Sequence, residues 1–76
     1  MERLYEILED CRPDIDFRGE TALIDGGLLE SLDIVMIVGE ISEEFGVEIT
    51  ADDLTPENLN SAEAIYSLIC ALGGEE

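Results

Sequence analysis

Gly26-Gly27-Leu28-Leu29-Glu30-Ser31-Leu32-Asp33-Ile34-Val35-Met36 delivers a single serine, over a glycine-bearing and therefore flexible approach, to the start of an apolar helix. From Ser31 to Phe45, at 100° per residue, Ile34, Ile37, Val38, Ile41 and Phe45 fall on one side and form a core stripe. Gly46 is expected to close this helix in the left-handed conformation. Leu32, Met36 and Gly39 fall opposite the stripe with Glu43, and Val35 lies on the flank. A helix that is apolar all round its first turns, in a small domain, exposes the surplus unless the preceding loop folds over Leu32 and Met36.

Upstream, Leu4, Ile7, Leu8 and Cys11 recur at helical spacing over residues 2 to 11, with acids and Arg3 on the other side. Pro13 ends that helix, because the residue before a proline is pushed out of the helical region. Residues 13 to 30 have no clear period but contain Ile15, Phe17, Leu23, Ile24, Leu28 and Leu29. A loop this long is uncommon in a compact domain unless it is functional or held down by its own apolar residues, and here both are expected.

Downstream, Thr50-Ala51-Asp52-Asp53 has the spacing of a capping box, and Thr55-Pro56-Glu57 reads as a cap, a proline at the first helical position and an acid in the first turn. A short helix carrying Leu54 and Leu59 fits there. Asn60 is the expected cap of a last helix with Ala62, Ile65, Leu68, Ile69 and Leu72 on its core stripe, stopped by Gly73-Gly74. There is no strand signal, repeat or linker. The expected fold is all-α, a small antiparallel four-helix bundle with a long first loop and a short third helix, in one domain over residues 1 to 76.

A formal net charge of -17 on 76 residues is extreme, and the three cations, Arg3, Arg12 and Arg18, all lie in the first 18 positions. Such a surface repels nucleic acid and anionic lipid and suits basic proteins, while also favouring solubility and a monomer. Glu40, Glu43 and Glu44 crowd the end of the long helix where the dipole favours cations, a placement that a basic partner would explain. No leader pattern follows Met1 and no apolar run could span a bilayer, so a cytoplasmic location without membrane insertion is expected. Cys11 and Cys70 are too few and too far apart for a metal site and read as free thiols, Cys11 as a small core residue. Neither Asp14 and Asp16 nor Asp52 and Asp53 follow the calcium-loop pattern.

With no histidine and no lysine, a serine nucleophile would lack its usual general base, and the carboxylates sit on exposed helices without a cleft to raise their pKa. Intrinsic catalysis is therefore not expected. Ser31 is either an ordinary first-turn serine or a presented hydroxyl; the glycines upstream, the flanking acids Glu30 and Asp33 and the apolar surface one turn on favour the second.

Glu30-Ser31-Leu32-Asp33, preceded by Leu23-Ile24-Asp25-Gly26-Gly27-Leu28-Leu29 and followed by Phe45-Gly46-Val47-Glu48-Ile49, resembles the acyl carrier proteins, whose usual tripeptide is Asp-Ser-Leu. The resemblance extends over nearly the whole chain. It implies that Ser31 carries a phosphopantetheine arm transferred from coenzyme A by a separate phosphopantetheinyl transferase. The arm's thiol would hold an acyl or aminoacyl group as a thioester, received from a loading enzyme and passed to a downstream transferase or synthase. It further implies a docking face along the second helix, for which Glu30, Leu32, Asp33, Val35, Met36, Glu43 and Glu44 are the candidates. Glu30 stands where the family normally has Asp, one methylene shorter, which bears on transferase choice. Met36 and Gly39 lie where fatty-acid carriers tend to show an acid and a larger apolar residue, so the chain looks more like the discrete alanyl or peptidyl-type carriers. The alternative from another class is an acidic helical adaptor that binds a basic protein without covalent modification. A small hydrolase using Ser31 fares worse, since nothing can serve as its histidine.

Overall fold

The computed structural model describes residues 2 to 74. Four helices follow in order, α1 (Glu2–Cys11), α2 (Ser31–Phe45), α3 (Pro56–Leu59) and α4 (Ala62–Ala71), with a 3-10 turn at Ala51–Asp53 and no strand among the described residues. α1 packs against α2 and α4, and α3 against α4. The result is a small helical bundle of the expected class, and α2 has the bounds that its periodicity and Gly46 dictate.

Each helix is amphipathic toward one shared core. Leu4, Ile7 and Leu8 of α1 meet Ile37, Ile41 and Phe45 of α2 and Ala62, Ile65 and Ile69 of α4, while Ile34 is only partly buried at the edge. Gly46 takes φ 67° and its N–H bonds the Ser42 carbonyl at 3.0 Å, satisfying a carbonyl that the last turn of α2 would otherwise leave open. Thr55 caps α3 with Pro56 at its first position, as expected.

The long segment between α1 and α2 is folded down. Ile15, Phe17, Leu23 and Leu29 are buried in the core, and Leu28 and Leu29 both donate their N–H to the Leu23 carbonyl at 3.0 Å. The glycine approach is thus a formed turn, with Gly27 at φ 73°, in place of the flexible lead-in that its composition suggests. Buried and half-buried backbone groups must be paired, and the turn does this locally.

Four expectations need correction. Asn60 does not cap α4; Ser61 does, accepting from the Ala64 N–H at 3.0 Å. Asn60 instead closes α3 and clamps the loop: its Oδ1 accepts from the N–H groups of Ile24 and Asp25, both at 3.0 Å, and its carbonyl accepts from the Leu23 N–H at 2.8 Å. Leu54 lies outside α3 and Leu72 beyond the last turn of α4, and both are exposed. Cys11 is only half-buried, at the edge of the core, and Cys70 is exposed; both are free thiols. Gly74 does more than stop a helix, because a Cβ there would meet Ile69 Cγ2 at 2.6 Å and Val47 Cγ1 at 2.8 Å.

Among the described residues no helix is long and apolar enough to cross a membrane.

Candidate functional site

The N-terminus of α2 is built by a bracket around Ser31. Glu30 is the N-cap, extended at φ -99° and ψ 170°, and its N–H donates to the Asp33 carboxylate at 3.0 Å. That is one half of a capping box, with an acid at the third helical position supplying the acceptor and favoured there by the dipole. Asp33 is 8% exposed and is the one buried charged side chain among the described residues. A buried carboxylate needs a counter-charge, and Arg12, just past the end of α1, supplies it through Nη1. The same Nη1 donates to the Leu28 carbonyl at 3.2 Å, and Nε and Nη2 grip the two oxygens of Asp14 at 3.0 Å each. The guanidinium holds the Asp14 carboxyl below its ordinary range, and those bonds in turn raise Arg12 above its own.

Ser31 occupies the first position of α2 and is exposed. Among the described residues its hydroxyl has no hydrogen-bond partner. It is therefore not a cap, since the capping acceptors are supplied by its neighbours. Below it run Leu32, 77% exposed, Val35, 65%, and Met36, 48%, so the loop does not cover this strip. Glu30, Glu43 and Glu44 are exposed, and Glu44 pairs with Arg3 at 3.2 Å.

Asp33 departs from the expectation that it faces partners. Its carboxylate is turned inward to Arg12 and to the Glu30 N–H, so it shapes the site without being offered at its surface. Arg12 is the residue that reading the sequence misses. Two signals were available: it is one of three cations among 20 acids, and Glu30 to Asp33 repeats the three-residue spacing recognised at Thr50 to Asp53.

The remaining chemistry is sparse. Burial first, then the nearby Glu40, Asp10 and Asp33, pushes the Cys11 thiol up and leaves it a poor nucleophile. A shallow groove between α1 and α2 is lined by Arg3, Glu6, Ile7, Asp10, Glu40 and Glu44, with no nucleophile among them. No group of acids or thiols among the described residues is placed to hold a metal ion.

An exposed, unpartnered serine held at a helix N-terminus fits an esterified phosphate: the oxygen is accessible, and the first amides of a 15-residue helix favour negative charge beside it. The family model for the phosphopantetheine attachment site matches residues 3 to 69, so it spans α1, the loop, α2, α3 and most of α4. Comparisons with curated proteins and with solved structures gave no significant match. Exposed serine, helix order and matched residues agree, and the chain belongs to the family of phosphopantetheine-binding carrier domains, the family of the acyl carrier proteins.

Proposed function

We propose that the chain is an acyl or aminoacyl carrier whose phosphopantetheine is joined to Ser31. Domains of this family are non-catalytic and carry the group covalently; the observation that singles out Ser31 is its exposed, unpaired hydroxyl at the head of α2. In the transfer, Ser31 Oγ forms the bond to phosphorus, its proton passes to a base of the transferase, and the 3′,5′-bisphosphate of adenosine leaves from coenzyme A. The base must come from outside, because the chain has neither histidine nor lysine. Once bound, the group supplies the thiol that holds cargo as a thioester.

Leu32, Val35 and Met36, rimmed by Glu30, Glu43 and Glu44, form the face that the transferase, a loading enzyme and a downstream transferase or synthase dock on in turn. Contacts steered by charge and centred on a small apolar strip exchange quickly, which suits a carrier. Met36 and Gly39 support a discrete alanyl or peptidyl type. Gly39 is exposed in mid-helix and a Cβ there would meet nothing within 4 Å, so the fold makes no demand for glycine. Gly39→Ala should raise stability by about 0.5–1 kcal/mol while weakening docking, opposite signs that a merely structural residue would not give.

Incubation with coenzyme A and a permissive transferase should add one phosphopantetheine by intact mass, and Ser31→Ala should add none. An unmodified wild-type chain across several transferases would favour the acidic adaptor.

A further inference from the structure

We propose that Arg12 is the positioning residue for Ser31: one guanidinium holds the Leu28 carbonyl and the Asp33 carboxylate together, and so fixes the path by which the chain enters α2. The proposal rests on the reading of Ser31 as the attachment point.

The two acceptors bracket the serine, one three residues before it and the other two after. Arg12 lies 16 and 21 residues away in sequence from them, at the end of another helix. It is held from behind by both oxygens of Asp14. The site is thus anchored to α1 through a donor set that is planar and rigid. The other cations do not do this. Arg18 pairs with Glu2 at 3.0 Å and lies 4.0 Å from the Tyr5 ring, and Arg3 pairs with Glu44 at 3.2 Å, contacts among half-exposed side chains that do not touch the approach to α2. Pairs of that kind contribute little.

Loss of Arg12 leaves the Asp33 carboxylate buried with the Glu30 N–H as its one remaining hydrogen-bond donor among the described residues, and leaves the Leu28 carbonyl without its side-chain donor. The carboxylate then turns toward water and loosens the N-cap with it. A transferase can still act on such a chain, but it must order Leu28 to Glu30 on binding, and that cost falls on affinity more than on the chemical step. Lysine keeps the charge but not the fork, so it cannot hold Asp14, Leu28 and Asp33 at once.

The experiment measures kcat and KM for phosphopantetheine transfer to the full chain from coenzyme A. It compares wild type, Arg12→Met, Arg12→Lys, Arg12→Met with Asp33→Asn, and Arg18→Met as a control of equal charge. Arg12→Met should raise KM about tenfold with kcat within about twofold, Arg12→Lys should recover only part of this, and Arg18→Met should leave both within about twofold. The double variant removes the stranded buried charge, so its melting temperature should recover toward wild type while KM stays high. Exchange of the Glu30 amide should speed up about tenfold in Arg12→Lys while that of Ile69 in α4 is unchanged. Wild-type KM in Arg12→Met, or recovery of KM together with stability in the double variant, would overturn the proposal and reduce Arg12 to a structural ion pair. If Arg12→Met does not fold, Arg12→Lys and the double variant decide it by the same criteria. A wild-type chain that takes no arm would instead overturn the Ser31 reading, a result distinct from equal KM values.

Discussion

Glu30 and Thr50 head α2 and the 3-10 turn with the same backbone angles, φ -99° and ψ 170°, and each donates its N–H to an aspartate three residues on, Asp33 at 3.0 Å and Asp53 at 3.1 Å. The surroundings differ. Asp53 is half-buried, takes a further bond from the Thr50 hydroxyl at 3.2 Å, and stays a local device. Asp33 is buried and takes its further bond from an arginine 21 residues away. The same local bond thus opens a turn in one place and ties two helices together in the other, and the tied copy is the one that flanks Ser31. A capping box becomes part of a site when tertiary structure buries its acid, because burial obliges the fold to bring a cation.

Removing each acid tests that difference most strongly. Asp33→Ala should cost about 2–3 kcal/mol in urea unfolding, for the lost cap and for an Arg12 left without its buried partner, toward the lower end because Arg12 can still reach water. Asp53→Ala should cost about 1 kcal/mol or less. Equal losses would show that Arg12 adds nothing to the bracket.

A smaller effect concerns acid. The Arg12 bonds hold the folded Asp14 carboxyl below its ordinary 3.8, so the stability that this pair contributes is fully present above that value. It is lost as the pH falls below about 4 toward the depressed folded value. The stability difference between wild type and Arg12→Met should therefore narrow over that range, and a constant difference would deny the linkage. At neutral pH, a net charge of -17 should make the melting temperature of the wild type climb with added salt. A flat response would mean that the acids are already well separated. The partly buried Arg12–Asp33 contact is screened less than the exposed pairs of Arg18, so Arg12→Met should lower the melting temperature more than Arg18→Met does at high salt.

The smallest effect is on a thiol. Asp33 is the least of the influences that push Cys11 up, after burial, Glu40 and Asp10. Asp33→Asn should speed alkylation of Cys11 at pH 8 by less than about twofold, read against the exposed Cys70, and Asp53→Asn should leave it unchanged.

What the sequence determined by itself was local or periodic. The stripe Ile37, Ile41 and Phe45 and the closing Gly46 fix α2, Thr55-Pro56 starts α3, and the surplus of apolar residues on α2 announces the strip at Leu32, Val35 and Met36. Periodicity reports which face of a helix is apolar, and caps report where it begins, since both depend on neighbours within a turn. Tertiary structure alone decided that the glycine approach is folded, that Asn60 clamps Ile24 from 36 residues away, and that Asp33 turns inward to Arg12. An aspartate on a helix looks the same in sequence whether it faces a partner or a buried arginine. Its role is set by the distant segment that packing brings against it, and by the cost of leaving a buried charge alone.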